Sequence, residues 1–166
     1  MREPLRDKAR LEHIMSAAEA ILERTKGMTL ESLTSDRILF GGIVYHTMII
    51  GEAAYHLSKP FKKQHSDTPW RIIEKMRHNL VHGYYKVDPN IVWSVINDDL
   101  PPLRDQIARY LAETDWEEWE KNDIVIIESA THKSLMETAL RMKRDGLTPQ
   151  QISRYTGLTT EEIEDI

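Results

Sequence analysis

Apolar residues recur at intervals of three and four in one segment after another, and this spacing dominates the chain of 166 residues. Such a period places apolar side chains on one face of an α-helix, whereas a half-buried strand alternates at every second residue. No segment shows sustained strand alternation. The pattern therefore predicts an all-α protein, an up-and-down bundle of four or five helices. Its first helix is expected over residues 5–24, and its central core helix over residues 36–58.

The chain lacks cysteine and begins with a charged segment that has no apolar signal core. These features give no indication of disulfides or secretion. The most apolar stretch, residues 38–57, is interrupted by Tyr45, His46 and Glu52. It therefore resembles a buried helix more than a membrane span. We expect a soluble, cytoplasmic protein with no membrane contact.

Composition changes after residue 112 and divides the chain into three predicted parts. Residues 1–112 form a helical domain, residues 113–122 an acidic linker, and residues 123–166 a small helix-turn-helix-like extension. The extension contains two similar segments, GLTPQQI and GLTTEEI, each with a Thr cap and a Gln or Glu three residues later. Its last helix is acidic, so DNA phosphates would repel it and DNA binding is disfavoured. Docking or self-association is the favoured role.

The stretch from residue 70 to residue 89 begins as a helix, which is predicted to run until Gly83 and to have two chemically different faces. Pro69 precedes it, and Gly83 follows directly after a histidine. At about 100° per residue, one flank is apolar and the other is basic. The apolar flank holds Trp70, Ile73, Met76, Leu80 and Tyr84; the basic flank holds Arg71, Lys75, His78 and His82, with Asn79 exposed beside them. Arg77 projects from the apolar side and needs an acidic partner, for which Glu52 is a candidate.

Arg77, His82 and Tyr84 form the pattern Arg-x4-His-x-Tyr within ordered flanking segments: IGEAAYHLS, PWRIIEKMRHNLVHGYY, VDPNIVW and DLPPLRDQI. This set, over residues 5–112, resembles the HepT-like toxins of the HEPN superfamily of metal-independent ribonucleases. The resemblance implies an HEPN-like bundle and a homodimer with paired motifs at its interface. It also implies a separate MntA-like nucleotidyltransferase antitoxin, which transfers AMP to the motif tyrosine, here Tyr84.

Metal-independent RNA cleavage needs a base for the ribose 2′-OH and a cation for the charge that develops on the phosphoryl group. His82 and Arg77 have the side chains suited to these catalytic roles. Lys75, Arg71, His78 and Asn79 would support RNA binding. DNA, which lacks the 2′-OH, would not be cleaved. Five residues of helix turn through about 500°, so Arg77 and His82 point about 140° apart. Either the helix unwinds near Gly83, or two protomers share one site.

Each of these residues also has a simpler interpretation. His82 could bond the last carbonyls of its helix, Arg77 could be a core arginine paired with Glu52, and Tyr84 could be a packing residue. His78 and His82 have the i, i+4 spacing at which two histidines of one helix can bind the same metal ion, but no third ligand is evident. We therefore predict no metal and no cofactor. The alternative function is a non-catalytic helical module that binds a nucleotidyltransferase partner or a nucleotide.

Overall fold

A computed structural model describes residues 6–166, apart from the side chains of residue 84, residues 122–128 and residue 130. The structure is 82% helical, and no strand occurs within residues 6–166, which confirms the all-α prediction. The chain divides into two compact units, which are Met1–Thr114 and Asp115–Ile166. The helices are α1 (Asp7–Thr25), α2 (Leu30–Ser35), α3 (Arg37–His56), α4 (Lys59–Gln64), α5 (Trp70–His82), α6 (Pro89–Ser94), α7 (Leu100–Glu113), α8 (Trp116–Arg144), α9 (Pro149–Thr156) and α10 (Thr160–Glu164).

The first unit is a bundle in which α3 packs between α1 and α5, and α1 also packs on α7. Each of these helices turns an apolar stripe inward, as the three-and-four spacing predicts. Burial of each large aliphatic side chain contributes about 1.5–3 kcal/mol. The fully buried apolar side chains of this bundle include Leu11, Ile14, Ala18, Ile21, Ile50, Ala54 and Ile107.

The central helix α3 begins as predicted, because the Asp36 carboxylate accepts hydrogen bonds from the backbone N–H groups of Ile38 and Leu39. One side of α3 is not covered: Ile38 and Tyr45 are 87% and 61% exposed. By length and mean hydropathy alone, α3 could also cross a membrane. A core helix passes the same test, and the contacts of α3 with α1 and α5 fit that interpretation.

Two short helices, α2 and α4, lie between the longer helices of the first unit. In α2, a reciprocal capping box joins Thr29 and Ser32, because each side chain bonds the other's backbone N–H. In α4, Ser58 caps the N-terminus and also donates its hydroxyl hydrogen to buried Asp7, 2.6 Å away. A π-helical turn, Val95–Asp99, joins α6 to α7. Pro101 and Pro102 follow it and lack the N–H groups that regular helical pairing would use there.

The second unit contains α8, α9 and α10. Helix α8 begins at Trp116, so helix is found where a linker was predicted over residues 113–122. Asp115 caps it by accepting a hydrogen bond from Glu118 N–H, and neither Pro nor Gly interrupts it before Arg144. A small apolar cluster of Ala139, Ile152, Leu158 and Ile163 holds α8, α9 and α10 together.

The internal repeat of the second unit forms two capping boxes, as predicted. Thr148 pairs with Gln151 at the start of α9, and Thr159 pairs with Glu162 at the start of α10. Gly157 ends α9 with a φ of 76°, a left-handed conformation that glycine adopts without strain. Lys143 Nζ donates to the carbonyl oxygens of Ile163, Glu164 and Ile166, so this lysine closes the C-terminal end of the unit.

Candidate active site

The motif residues lie on α5, which stays helical through His82. Its buried face carries Trp70, Ile73 and Leu80, in agreement with the predicted apolar stripe. The Gly83 N–H still donates to the Asn79 carbonyl at 2.8 Å, and the chain then leaves α-helical geometry. Because the helix ends only after His82, unwinding at Gly83 cannot turn His82 toward Arg77.

The start of α5 is anchored by a polar network that the sequence analysis did not identify. The Tyr110 hydroxyl of α7 donates to Asp67 Oδ1 at 2.9 Å and lies 2.7 Å from the Thr68 hydroxyl. Trp70 Nε1 donates to the His65 carbonyl oxygen at 2.8 Å. The hydrogen bond from Tyr110 lowers the pKa of Asp67. These bonds tie the first turn of the motif helix to α7.

His65 packs into the same corner of the first unit. Its ring centroid lies 4.0 Å from that of Tyr110 and 4.4 Å from that of Phe61. Nε2 of His65 is buried and has no hydrogen-bond partner within the described residues. Burial lowers the pKa of His65, because the apolar surroundings disfavour the charged imidazolium.

Arg77 lies at a close approach of α5 to Gly51 of α3. A Cβ atom added to Gly51 would stand 2.3 Å from Arg77 Cβ, so the helices can approach this closely only because residue 51 has no side chain. Arg77 Nε lies 2.5 Å from Glu52 Oε2, the acidic partner that the sequence suggested. The Nε–H group makes no hydrogen bond of acceptable geometry, so this contact is an ion pair. The guanidinium carbon also lies 5.7 Å from the centre of the Tyr55 ring.

The Glu52 carboxylate contacts a histidine as well as Arg77. Its Oε1 atom lies 3.1 Å from His56 Nε2, one helical turn further along α3. The His56 carbonyl oxygen in turn accepts a hydrogen bond from the Arg10 guanidinium of α1. Sequence spacing could have suggested the Glu52–His56 pair, but the approach of Arg10 depends on how α1 packs on α3.

His82 is the last residue of α5, and its ring is exposed. The ring centroid lies 4.6 Å from that of His78, one turn earlier. Arg71, Lys75 and Asn79 are exposed as well, in agreement with their predicted position on the polar flank. The structure therefore places two imidazoles and two further cations on the open side of α5, whereas Arg77 lies against α3. The roles assigned to these residues stay predictions.

Tyr84 begins a short 3₁₀ turn, Tyr84–Lys86, directly after Gly83. Its side chain lies outside the described part of the structure, so the predicted modification site is located by its backbone alone. The neighbouring Tyr85 is 68% exposed. Tyr85, which directly follows the last residue of the motif pattern, is therefore open to solvent.

A groove of about 740 Å³ separates α5 from α6 and α7. Apolar side chains dominate it, and Ile72 and Ile91, exposed by 70% and 65%, lie along it. Lys75 and Asn79 of the polar flank also line this groove. Helical spacing alone does not reveal this groove, because its walls come from segments that are distant in the chain.

Among the described side chains, no three His, Cys, Asp or Glu residues are grouped closely enough to hold a metal ion. The i, i+4 pair of His78 and His82 has no third ligand among them. The site that remains is an arginine–carboxylate pair beside an exposed histidine pair.

Comparison with known proteins places residues 14–110 in one family. That segment matches the family model described as "Ribonuclease HepT-like". A protein of Caldanaerobacter subterraneus subsp. tengcongensis, named "Putative RNase", is 39% identical over 101 residues, which cover 61% of this chain and 90% of that protein. "Probable ribonuclease HepT" of Thermococcus cleftensis is 32% identical over 99 residues, covering 60% and 90% respectively.

A "Gamma-glutamylcyclotransferase and putative RNase" of Methanocaldococcus jannaschii is 31% identical over 105 residues, covering 63% of this chain and 47% of that protein. No solved structure matches the chain significantly. The matching segment contains the Arg-x4-His-x-Tyr pattern and all of α3, α5 and α6. The family model also covers more than half of the sequence. The chain belongs to the HepT-like ribonuclease family.

Proposed function

We propose that the protein is a metal-independent endoribonuclease that cleaves RNA through Arg77 and His82. The observation that carries this proposal is that one helix of a HepT-like domain presents both residues, with Arg77 held by a carboxylate and His82 open to solvent. A buried, fully paired motif would favour the alternative of a non-catalytic module. Cellular RNA, including tRNA, is the expected substrate, and the cytoplasm is the expected site of action.

In this mechanism, His82 removes the proton from a ribose 2′-OH, and the 2′-oxygen attacks the adjacent phosphorus. The bond from phosphorus to the 5′-oxygen breaks, and that oxygen takes up a proton from a general acid. The products are a 2′,3′-cyclic phosphate and a free 5′-hydroxyl. Arg77 stabilises the negative charge that develops on the phosphoryl oxygens, for which its planar fork is suited. His78, Arg71, Lys75 and Asn79 would bind the flanking strand.

Glu52 has a positioning role in this mechanism. It holds the Arg77 guanidinium by an ion pair that leaves other N–H groups of the arginine available. When an RNA phosphate approaches Arg77 as a second anion, the Glu52 carboxylate keeps the Arg77 guanidinium in place. Glu52→Gln would keep the size of the side chain and remove its charge, so we expect a lower kcat with little change in folding.

We further propose that the active form is a homodimer whose two α5 helices face each other. The support is geometric, because Arg77 and His82 are five residues apart on an uninterrupted helix and point about 140° apart. A second copy could bring its histidine to the arginine of the first. It could also supply the general acid. A monomeric variant that cleaves RNA at the full rate would contradict this arrangement.

The regulatory part of the proposal concerns Tyr84. We propose that the protein is the toxin of a type VII toxin–antitoxin system, in which an MntA-like nucleotidyltransferase transfers AMP from ATP to the Tyr84 hydroxyl. The AMP group would add negative charge two residues from His82 and repel RNA phosphates. Incubation with that partner and ATP should add one AMP or a short oligo-AMP chain to Tyr84. Tyr84→Phe should prevent the modification, whereas Tyr85→Phe should not.

The central experiment is incubation of the purified protein with total cellular RNA in the presence of a chelator. We expect cleavage by the natural protein, and a loss of about 10²–10⁴-fold in the rate for His82→Ala, the range typical of general acid–base catalysis. Arg77→Ala should lose activity to a similar degree. His132→Ala is the matched control, because His132 is an exposed histidine of the second unit. A requirement for metal, or equal cleavage by the motif variants, would contradict the mechanism.

A further inference from the structure

A small pocket opens between α1 and α3 beside the motif arginine. Its volume is about 160 Å³, several times the roughly 30 Å³ that a water molecule occupies in the liquid. Glu52 lines the pocket and also pairs with Arg77, so the two sites share one carboxylate. The lining residues are Arg10, His13, Ile49, Glu52, Ala53 and His56.

Positive or protonatable groups dominate the polar lining of this pocket. The Arg10 guanidinium uses one N–H for the His56 carbonyl oxygen and has further N–H donors. His13 is exposed and lines the pocket beside Arg10. His56 pairs with Glu52, whose charge is already opposed by Arg77. The pocket thus holds three nitrogen-bearing side chains and one carboxylate that already contacts Arg77 and His56.

An anion with several acceptor oxygens matches this arrangement better than a neutral ligand. A guanidinium fork and an imidazole both donate to phosphate oxygens, and such charge-assisted bonds are about twice as strong as neutral ones. Ile49 and Ala53 add a partly apolar wall, which reduces competition from water. The volume is sufficient for one phosphate group but small for a nucleobase with its sugar.

We propose that this pocket is a second phosphate subsite, which binds a backbone phosphate of the RNA strand next to the one held at Arg77. The inference rests on the proposed ribonuclease function and adds to it a binding surface on α1 and α3. In the pocket, the phosphate would accept hydrogen bonds from Arg10 and His13, while Arg77 offsets the charge of the neighbouring Glu52 carboxylate. On one side of the cleaved bond the RNA would therefore continue across α1, and on the other side it would follow the basic flank at Arg71 and Lys75.

The test measures RNA affinity without cleavage. A fluorescently labelled single-stranded RNA is titrated with the full chain carrying His82→Ala, and anisotropy is followed at several salt concentrations. Adding Arg10→Ala should weaken binding by about three- to tenfold. It should also reduce the magnitude of the negative slope of log affinity against log salt by about 0.7, the value for one phosphate contact on a single strand. Adding His13→Ala should weaken binding by a similar factor.

The matched control is Arg24→Ala, which removes an exposed arginine from the other end of α1. Fourteen residues of helix separate Arg24 from Arg10, a distance of roughly 21 Å, so its removal should leave affinity within about twofold. Unchanged affinity for either Arg10→Ala or His13→Ala would overturn the subsite, as would an equal loss for Arg24→Ala. Because Arg10 also bonds the His56 carbonyl, His13→Ala keeps the test valid if Arg10→Ala fails to fold.

Failure of the subsite is distinguishable from failure of the ribonuclease proposal. The first would leave RNA affinity unaffected by the pocket variants, while cleavage by the natural protein still required His82. The second would show no dependence of cleavage on Arg77 or His82, whatever the affinities.

Discussion

The two compact units of the chain are stabilised by different kinds of contact. In Met1–Thr114, elements distant in sequence meet: Asp67 bonds Tyr110, and Asp7 bonds Ser58. Within the described residues of Asp115–Ile166, most side-chain hydrogen bonds join residues three or four apart, as in the Thr148–Gln151 and Thr159–Glu162 caps, although Lys143 also bonds carbonyl oxygens near residue 165. The first unit therefore depends on tertiary packing, whereas the second depends largely on local sequence around a small apolar cluster.

This difference extends to function. The family match ends at residue 110, so it falls within the first unit. Catalysis needs side chains from several elements held at fixed positions, and long-range contacts provide that rigidity. A locally capped unit needs less precision, which suits a docking or self-association surface. Each of the following variants tests whether stability and activity separate along this boundary.

The largest change is expected from Ile152→Ala, which empties the centre of the second unit. Ile152 is fully buried among Ala139, Leu158 and Ile163, and removal of such a side chain costs about 2–5 kcal/mol. We expect the second unit to lose its cooperative melting transition, followed by calorimetry or circular dichroism. RNA cleavage per molecule should stay within about twofold. A parallel loss of cleavage would show that the second unit takes part in activity.

Gly51→Ala should have the next largest effect, and in the first unit only. The added Cβ would meet Arg77 Cβ at 2.3 Å, so α3 and α5 must separate, at a typical cost of about 1–3 kcal/mol. Cleavage should fall as well, because Arg77 moves with α5. Gly41→Ala is the matched control on the same helix, where a Cβ meets open space. Replacing that helical glycine by alanine should stabilise the unit by about 0.5–1 kcal/mol, seen as a higher Tm.

Thr159→Ala should remove one capping box of the second unit. Its hydroxyl accepts from the Glu162 N–H at 3.2 Å, and the loss of an N-cap typically costs about 1 kcal/mol. We expect a small fall in the Tm of the second unit and no change in RNA cleavage. Thr160→Ala, at the first position inside α10, should have less effect. Equal shifts for both variants would show that the cap itself contributes little.

The smallest effect concerns the pH dependence of the first unit. The pKa of His65 is lowered in the folded protein by burial, so the unfolded chain binds more protons as pH falls below about 6.5. Stability contributed by neutral His65 is therefore complete above that pH. It declines as pH falls from there through the lowered folded pKa. Chemical denaturation at several pH values should show a shallower decline for His65→Gln. An unchanged profile would locate the pH dependence at other groups.

The features that could be predicted from the sequence are the local ones, in both units. Spacing and caps were sufficient for the all-α class, for the start of the central helix α3 and for both capping boxes of the second unit. The short helices α2 and α4 and the early start of α8 were missed. Their length gave too little periodicity at α2 and α4, and the acidic composition at residues 113–122 resembled a linker. The network of Asp67 and Tyr110 could not be found, because its partners are 43 residues apart.

Sequence alone determined the helical class, the family and the polar flank of α5, because helical period and motif spacing are local properties. It also suggested Glu52 as the partner of Arg77, since a charge on an apolar flank requires one. Tertiary structure decided that α3 and α5 meet at Gly51 and that Arg10 and His13 join Glu52 in one pocket. Those contacts depend on how separate helices pack, and neither the period nor the order of residues along one helix specifies that packing.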